Sequence, residues 1–370
     1  MHTDADHRHM TRALELAARG RFTTRPNPQV GCVIVNQGHV VGEGWHERAG
    51  EPHAEVHALK RAAAAARGAT AYVTLEPCAH HGRTPPCYQA LLQAGIERVV
   101  VACEDPFHKV AGRGIAFLRE AGIAVDVGVM RREAQELNKG FLSSARRGRP
   151  WVTLKMAMSL DGRTALADGR SKWITGAAAR TDVHRLRREH CAILTGSATV
   201  LADDPSLTVR LDEDRAFVTP WRVVLDSDLR LPHTAQVFDE QAPTLLVHRV
   251  AGGHDQLPDG VQAIQVEPSH GHVSLHSCLQ ALSERGLHRV LVEAGATLAG
   301  ALVREGLVDD LVTYVSPKLL GSDARPLLLG AFPTALDAPA AFELTGVQAL
   351  GDDVRICLRN TQSAPACFIP

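Results

Sequence analysis

The 370-residue sequence lacks a long apolar segment. No hydrophobic run approaches the roughly 18 residues that a membrane-spanning helix requires. The polar stretch from Met1 to His9 also lacks the apolar segment of a secretory signal. These absences predict a cytoplasmic protein that does not act at a membrane.

An excess of charge of either sign is also absent. Lysine and arginine together number 40, aspartate and glutamate 41, and the formal net charge is -1. Because non-specific binding to a polyanion needs a basic surface, this balance argues against a general nucleic-acid-binding protein. It leaves room for a local basic pocket.

Cysteine is too scarce for a disulfide scaffold, with eight residues in the chain. Two of the eight stand near His and Glu, which favours a metal site in a reducing compartment. Hydrophobic residues make up 45% and charged residues 22%, as is usual for soluble globular proteins. At roughly 150 residues per domain, the length predicts about two domains.

Both halves of the chain predict an α/β fold. Strand patterns such as residues 30–35 and 192–195 alternate with helical patterns such as residues 53–67 and 177–189, and this alternation is typical of a partly parallel sheet. We expect residues 195–205 to form a hydroxyl-rich loop after a strand.

The basic run 146–150, which contains Gly and Pro, is the best candidate for a linker. We therefore expect one domain over residues 1–147 and a second over residues 150–370. Residues 251–276 have a weak pattern that predicts loops or edge structure, and the end of the chain from Gly351 has no assignable pattern.

The most specific motif is His53-Ala54-Glu55, followed by Cys78 and Cys87. One imidazole and two thiolates give Zn²⁺ three protein ligands, and the open fourth position is typical of a catalytic site. Glu55, two residues after the first ligand, could move a proton without binding the metal. A structural site would need a fourth ligand, which His80 or His81 could supply, but it would leave Glu55 unexplained.

The motif is similar to the H-x-E and P-C-x-x-C signature of zinc nucleobase deaminases. In this chain eight residues, rather than two, separate Cys78 from Cys87. The insert lengthens a loop beside the metal and adds His, Arg and Thr to it. We expect the other cysteines to be small buried side chains or surface thiols rather than ligands: Cys32, Cys103, Cys191, Cys278, Cys357 and Cys367.

The second half carries weaker signals. Residues 292–300 predict a strand, a glycine-containing turn and a helix whose N-terminus could hold a phosphate, although a plain βα turn fits the pattern equally well. Arg187 and Arg210 could bind phosphate in bidentate fashion, or could be solvated surface charges. Loops that follow strands are where open α/β sheets bind ligands.

Residues 74–87, together with His53-Ala54-Glu55 and residues 25–31 and 110–114, resemble the bifunctional deaminase/reductase family of riboflavin biosynthesis. The resemblance covers essentially the whole chain. It implies a cytidine-deaminase-like zinc domain followed by a dihydrofolate-reductase-like domain. The implied reactions are hydrolytic deamination of 2,5-diamino-6-(5-phosphoribosylamino)pyrimidin-4(3H)-one and then NADPH-dependent reduction of the ribosyl group to ribityl.

The resemblance also implies roles for individual residues. In the first domain it implies that His53, Cys78 and Cys87 bind zinc and that Glu55 is the catalytic proton carrier. The residues implied to face the substrate there are Asn27, His46 and Arg83. Residues 105–108 depart from the family pattern, because Phe107-His108 stands where relatives tend to have Asn-Pro.

In the second domain, the residues implied to contact NADPH are Ala157, Trp173, Thr199, Asp203, Ser227, Gly295, Ala296, Thr297, Leu298, Ala299, Gly300 and Ala301. Those implied to bind the substrate are Lys155, Ser171, Arg187, Leu207, Arg210 and Glu293. Lys155 could hydrogen-bond the sugar or donate a proton as its ring opens. Asp203 could equally be a structural cap, and the preference for NADPH over NADH depends on the resemblance alone.

Two other functions remain open at this point. One is a base deaminase that acts on tRNA or another nucleic acid, against which the near-zero net charge argues. The other is a reductase that carries an inactive deaminase domain. We also expect a homo-oligomer with a small phosphorylated pyrimidine as substrate, and the apolar run 327–329 could serve its interface.

Overall fold

The computed structural model describes residues 2–79, 86–107, 110–213, 215–251, 257–330, 332, 341–363 and 368. The chain divides into two compact units, of which the first extends to Arg147 and the second begins at Gly148. Among the described residues, no helix combines the length and the apolar character needed to span a bilayer.

The first unit contains a five-stranded sheet in the order β2-β1-β3-β4-β5. Its strands are β1 Gly31–Asn36, β2 His39–Trp45, β3 Thr70–Val73, β4 Arg98–Val101 and β5 Ala124–Val127. β1 is antiparallel to β2 and β3, whereas β3, β4 and β5 are parallel. Its helices are α1 Asp4–Arg19, α2 Ala54–Ala62, α3 Cys87–Gln93, α4 Arg113–Glu120, α5 Arg131–Leu137 and α6 Lys139–Arg147.

Helices cover both faces of this sheet. Alternate residues of β1 point to opposite sides, so Val33 packs with Met10 of α1 while Ile34 packs with Ala58 of α2. The helices α3 and α4 contribute Leu91 and Leu118 to the same side as α2. The sheet therefore lies between two helical layers, and the ends of its strands are free to carry polar residues.

Two glycines of β2 allow α2 to lie unusually close to the sheet. A Cβ atom on Gly42 would lie 2.3 Å from the carbonyl oxygen of Ala58, and one on Gly44 would lie 2.3 Å from that of Ala54. Small side chains on the facing side of α2 complete this contact. His53, the first predicted metal ligand, is the N-cap residue of α2, so this contact also fixes the position of His53.

The sequence predictions at residues 53–67 and 146–150 are wrong in part. The α-helix ends at Ala62, Ala63 has a left-handed φ of 48°, and a 3₁₀ helix occupies Ala63–Ala66. The preference of alanine for a helix is worth less than about 1 kcal/mol per residue, so tertiary contacts readily override it. Arg146 and Arg147 belong to α6 rather than to a linker.

The second unit contains a nine-stranded sheet in the order β11-β10-β9-β8-β14-β6-β15-β18-β17. Its strands are β6 Trp151–Ser159, β8 Ala192–Gly196, β9 Trp221–Leu225, β10 Thr244–His248, β11 Val261–Gln265, β14 Arg289–Glu293, β15 Asp310–Ser316, β17 Phe342–Leu350 and β18 Asp353–Asn360. From β11 to β15 all neighbours are parallel, and β18 is antiparallel to both β15 and β17.

Two small sheets and four α-helices complete the second unit as described. The small sheets pair β7 Arg163–Ala165 with β16 Arg325–Pro326, and β12 Pro268–Ser269 with β13 His272–Val273. The helices are α7 Ala177–Arg188, α8 Ser197–Asp203, α9 Leu275–Glu284 and α10 Ala296–Arg304, with a 3₁₀ turn at Gln236–Phe238. Helices α9 and α10 pack on one face of the nine-stranded sheet, and α7 and α8 pack on the other.

Because the seven strands from β11 to β15 are parallel, β6, β8, β9 and β14 all end at the same edge of the sheet. This edge is where the sequence predicts ligand contacts. The prediction of a loop at residues 195–205 is wrong in part, because they contain α8. The edge structure predicted within residues 251–276 is confirmed, since β11 is an edge strand of the large sheet and β12 and β13 form a small sheet of their own. The C-terminal stretch, to which the sequence assigns no element, contains β18.

Candidate active sites

The first unit brings together the three predicted zinc ligands. His53 precedes α2, Cys78 follows the end of β3, and Cys87 is the first residue of α3. The Nδ1 atom of His53 lies 3.1 Å from Sγ of Cys87 and 3.6 Å from Sγ of Cys78. In the part of the chain that the structure describes, no other group of His, Cys, Asp and Glu gathers three ligand atoms so closely.

The charges at this cluster suit a soft divalent cation. Hydrogen bonds from the Cys87 thiol, the His53 ring and the Cys87 backbone N–H lower the pKa of Cys78 to about 4, although burial alone would raise it. A thiolate at this position is the form that binds Zn²⁺. One imidazole and two sulfur atoms within 4.8 Å of one another therefore fit zinc.

Glu55 is buried beside these ligands in the first turn of α2, with 3% of its surface exposed. Burial raises the pKa of Glu55 to about 7, and the negative charge of Cys78 adds to the effect. A carboxyl group with a pKa near neutrality can both accept and donate a proton at physiological pH. The geometry thus suits a proton carrier, as the sequence predicts.

Asn27 and His46 lie next to the same cluster. The Asn27 side-chain nitrogen is 3.0 Å from Nε2 of His46, and Nδ1 of His46 is 3.2 Å from the carbonyl oxygen of Pro52. The ring of His46 stands edge-on to that of His53, with centroids 5.3 Å apart. Burial lowers the pKa of His46, which favours a neutral ring. Arg83, His80 and His81 lie outside the described residues.

In the second unit, a charged cluster forms where β6 and β14 lie side by side. Lys155 and Glu293 are register partners on these parallel strands. The Arg187 guanidinium donates to both carboxylate oxygens of Glu293, through Nε at 2.6 Å and Nη2 at 3.0 Å. Its Nη1 donates to the carbonyl oxygen of Thr208 at 2.8 Å. The structure thus brings together three of the predicted substrate residues.

The charge states in this cluster are well defined. Burial alone would raise the pKa of Glu293, but the positive charges of Arg187 and Lys155 lower it to about 2. Burial also lowers the pKa of Lys155, and the nearby Glu293 opposes that effect. The side chains of Arg187 and Glu293 are only 11% and 12% exposed, so water screens this ion pair weakly.

Arg210 and Leu207 lie on the segment that also contains Thr208. The Nη1 atom of Arg210 donates to the hydroxyls of Ser206 at 2.6 Å and Thr208 at 2.9 Å. Leu207 is buried and has a left-handed φ of 48°. Two positive charges, on Arg187 and Arg210, therefore approach the same short segment, which is an arrangement that suits an anion.

His184 also belongs to this cluster, and the sequence analysis did not single it out. Its Nδ1 atom is 3.2 Å from the backbone N of Arg210 and 3.2 Å from the carbonyl oxygen of Thr208. Burial lowers its pKa to about 4, and the charges of Arg187 and Arg210 contribute. The one sequence signal for His184 is its position three residues before Arg187, because residues three apart on a helix lie on the same face.

The predicted NADPH residues cluster in part at the ends of β8 and β14. Gly196 and Gly295 are the N-cap residues of α8 and α10. A Cβ atom on Gly295 would meet only Thr199 Oγ1, at 4.0 Å, and one on Gly196 would meet only Leu298 Cδ2, at 3.5 Å. Open space beside two glycine N-caps fits a dinucleotide cofactor, which approaches such backbone closely.

The remainder of the stretch 295–301 is helical and belongs to α10. Ala299 is fully buried in the core, and a Cβ atom on Gly300 would lie 1.9 Å from the carbonyl oxygen of Leu329. Ala296, Thr297 and Ala301 lie on the same helix, α10. A contact between NADPH and each of these residues stays a prediction.

The other predicted cofactor and substrate residues lie on separate elements. Trp173 is 63% exposed, and the Arg180 guanidinium lies 4.7 Å from its ring centroid. Between Ser171 and Trp173, Lys172 donates to the carbonyl oxygen of Asp203 at 3.1 Å, which connects this segment to the end of α8. Asp204 rather than Asp203 is the C-cap residue of α8.

Ser227 and Ala157 lie after β9 and on β6, respectively. Ser227 follows β9, and its hydroxyl accepts a hydrogen bond from the backbone N–H of Val273 at 3.1 Å. Ala157 is on β6 opposite Tyr314 of β15. The predicted NADPH residues thus extend along one edge of the sheet, from β9 across β8 and β14 to β6.

Two family models match different parts of the chain. Residues 3–103 match the family model of the cytidine and deoxycytidylate deaminase zinc-binding region, and residues 150–356 match that of the RibD C-terminal domain. Riboflavin biosynthesis protein RibD of Escherichia coli (strain K12) is 51% identical over 360 residues, which cover 94% of this chain and 98% of the relative. The RibD protein of Haemophilus influenzae is 46% identical over 358 residues, which cover 94% and 95%.

Solved structures show the same likeness. RibD of Acinetobacter baumannii (form 1) superposes with a TM-score of 0.89 at 46% identity, covering 97% of this chain and 99% of that one. A diaminohydroxyphosphoribosylaminopyrimidine deaminase/5-amino-6-(5-phosphoribosylamino)uracil reductase of Thermotoga maritima superposes with a TM-score of 0.83 at 34% identity, covering 96% and 99%. The predicted fold class is confirmed, and the chain belongs to the RibD family of riboflavin biosynthesis.

Proposed function

We propose that this chain catalyses two consecutive steps of riboflavin biosynthesis, a zinc-dependent deamination and an NADPH-dependent reduction. The substrate of the first step would be 2,5-diamino-6-(5-phosphoribosylamino)pyrimidin-4(3H)-one. The observation that carries the proposal is the buried carboxyl of Glu55 beside the cluster of His53, Cys78 and Cys87. Membership of the RibD family, whose Thermotoga maritima member is named as a deaminase and reductase, supports it.

In the first unit, His53, Cys78 and Cys87 would hold the zinc ion and Glu55 would carry the proton. Zinc, when bound at such a site, lowers the pKa of a water molecule so that it can attack at neutral pH. Glu55 would accept a proton from the attacking water and deliver it to the departing amine. The carbon–nitrogen bond of the 2-amino group breaks, a carbonyl forms in its place, and ammonia leaves.

Asn27 and His46 would hold the substrate in this unit. Their side chains are 3.0 Å apart next to His53, so they would present hydrogen-bonding groups to a pyrimidine ring bound at this site. A neutral His46 can act as donor or acceptor through its tautomers. We assign the phosphate contact to Arg83, as implied by the motif in which it stands.

In the second unit, the open edge of the sheet would hold NADPH, which supplies a hydride to the sugar carbon. Gly295 and Thr199 line the space beside β8 and β14. The other proposed cofactor residues are Ala157, Trp173, Asp203, Ser227, Ala296, Thr297, Leu298, Ala299, Gly300 and Ala301. The substrate would lie over the charged cluster of Lys155, Arg187 and Glu293.

Each charged side chain of that cluster has a distinct proposed role. Arg187 and Arg210, with Ser171, would bind the phosphate, and Leu207 would pack against the substrate. Glu293 would face the ribose while it holds Arg187 in place. Lys155 would hydrogen-bond the sugar or donate a proton as the ring opens, and its lowered pKa makes the ammonium group a better proton donor.

We further propose a cytoplasmic homo-oligomer with a deaminase domain at residues 1–147 and a reductase domain at residues 150–370. The edge strand β17 leaves Leu344 and Val347 62% and 60% exposed, and exposed apolar side chains along a sheet edge favour a partner chain. Nucleic acid would not be a partner, because the chain carries no net excess of positive charge.

The test is a two-stage assay on the purified protein. With the diaminopyrimidine substrate and no NADPH, we expect ammonia release, and addition of NADPH should then start its oxidation. Removal of zinc by a chelator should stop ammonia release but leave NADPH oxidation on the deaminated intermediate intact. Ammonia release from an oligonucleotide, with none from the pyrimidine, would overturn the proposal.

A further inference from the structure

Glu76 is a buried carboxylate that lies two residues before the proposed zinc ligand Cys78, with 4% of its surface exposed. Within the described residues, its hydrogen-bond donors are all backbone N–H groups. Its Oε2 accepts from Asp105 at 3.1 Å and Gly112 at 3.0 Å, and its Oε1 accepts from Gly114 at 2.9 Å and Ile115 at 3.3 Å.

These donors include the start of α4. Gly112 is the N-cap residue of this helix and has a left-handed φ of 80°, and a glycine provides no side chain to cap the first turn. Gly114 and Ile115 are the second and third residues of the helix, where N–H groups lack an intrahelical acceptor. Glu76 therefore caps α4 from another segment, and its negative charge is favourable at the helix N-terminus.

The backbone next to Glu76 contacts the same turn of α4. A Cβ atom on Gly114 would lie 2.0 Å from the carbonyl oxygen of Pro77, the residue directly before Cys78. The backbone N of Glu76 also donates to the carbonyl oxygen of Cys103 at 2.9 Å. Because residues 76–79 belong to no helix or strand, these contacts determine the path of the chain into Cys78.

We propose that Glu76 is a positioning residue for Cys78. Its carboxylate attaches the segment before the ligand to the start of α4, so that Sγ of Cys78 stays within reach of His53 and of the Cys87 N–H. An amide at this position could not replace it, because glutamine offers one acceptor oxygen and turns an N–H₂ group towards N–H donors. The inference rests on the proposed zinc site.

The experiment compares zinc release from the full-length wild type and from Glu76→Gln, with an excess of a chromophoric chelator well below the unfolding temperature. Removing a group that orients a ligand typically costs about 10–100-fold in metal affinity, and we expect zinc release to accelerate by a similar factor. Deamination should fall, while NADPH oxidation on the deaminated intermediate stays at the wild-type rate. Glu76→Asp, which keeps the charge, should lie between the two.

Gly114→Ala provides a second variant that leaves the carboxylate intact. Its Cβ atom would press on the carbonyl oxygen of Pro77, so we expect faster zinc release in this variant as well. If Glu76→Gln does not fold, Gly114→Ala and Glu76→Asp carry the test.

Asp6→Asn is the matched control for a purely structural effect. Asp6 is another buried carboxylate of the first unit, but it bonds Arg98 and Tyr72 instead of the start of α4. This variant should lower the unfolding temperature and leave zinc release unchanged. Wild-type zinc release in both Glu76→Gln and Gly114→Ala, or equal acceleration in Asp6→Asn, would overturn the inference. A wild type that binds no zinc would instead contradict the proposed function.

Discussion

Glu55 of the first unit and Glu293 of the second are both largely buried carboxyl groups, yet the pKa of Glu55 lies above the ordinary value for glutamate and that of Glu293 lies below it. Burial raises the pKa of Glu55 to about 7, and the negative charge of Cys78 adds to the effect. Burial would raise the pKa of Glu293 too, but Arg187 and Lys155 lower it to about 2. The neighbouring charges decide the outcome, since both side chains are shielded from water.

The comparison separates two uses of a buried acid. Glu55 can exchange a proton near neutral pH, which is what a hydrolytic deamination requires. Glu293 stays ionised at any physiological pH, so it cannot act as a proton carrier and serves as a fixed anion that orients Arg187 through two hydrogen bonds. The buried carboxyl of one unit is thus suited to the proton transfer proposed for it, and that of the other holds cations.

The largest expected effect comes from Glu55→Gln, which removes the proposed proton carrier and keeps the shape of the side chain. General acid–base groups contribute about 10²–10⁴-fold, and we expect deamination to slow by at least that factor. The readout is ammonia release, with NADPH oxidation on the deaminated intermediate as the internal control. Wild-type ammonia release from this variant would remove the assigned role of Glu55.

Arg187→Met should expose the dependence of Glu293 on its partner. Breaking a buried ion pair from one side costs about 3–5 kcal/mol, because the other charge is left buried and unpaired. Denaturant unfolding of the second unit would measure this loss. The double variant Arg187→Met/Glu293→Gln should recover most of the stability and none of the reductase activity. If the single and double variants were equally unstable, packing rather than charge would be the cause.

Acid should weaken the second unit through the same pair. A carboxyl whose pKa is lower in the folded chain contributes stability above its ordinary pKa of 4.5, and this contribution is lost as the pH falls. For Glu293 we expect the loss between about pH 5 and pH 2. The stability of Glu293→Gln should depend less on pH across that window. Parallel curves for wild type and variant would contradict the assigned pKa.

The smallest effect on stability is expected from Lys155→Met. Glu293 keeps both hydrogen bonds from Arg187 when Lys155 becomes an apolar side chain of similar size, so we expect a smaller loss of stability than in Arg187→Met. Reductase kcat should fall, with little change in the KM for NADPH, if Lys155 assists the ring opening. An unchanged kcat would restrict Lys155 to a structural role, and ammonia release should be unaffected in either case.

The two sites also differ in how far the sequence predicts them. The first site is predicted by short motifs that contain His53, Glu55, Cys78 and Cys87. Their side chains come close together because α2 and α3 begin at or beside the ligands. The arrangement of Arg187 and Glu293 depends on tertiary structure, since 106 residues separate them in the chain. The alternating helices and strands nevertheless predict the α/β class and the sheet edge where they meet.

Other features left too little signal in the sequence. Helix α8 has seven residues and one buried apolar side chain, Val200, which is too short for a helical period to be seen. Strand β17 has no alternation of buried and exposed residues, because it lies at the edge of the sheet. The role of Glu76 depends on donors 29 to 39 residues away, and these were brought to it by the fold.

The close contact of α2 with β2 has a consequence for protein engineering. A Cβ atom on Gly42 or Gly44 would lie 2.3 Å from a carbonyl oxygen of α2, so the helix has no room to shift towards the strand. The orientation of Glu55 is thus encoded in the strand beneath it as well as in its own motif. A designer who transplants this centre to another scaffold must transfer the glycine strand with the helix, since the motif alone would leave Glu55 without a fixed position.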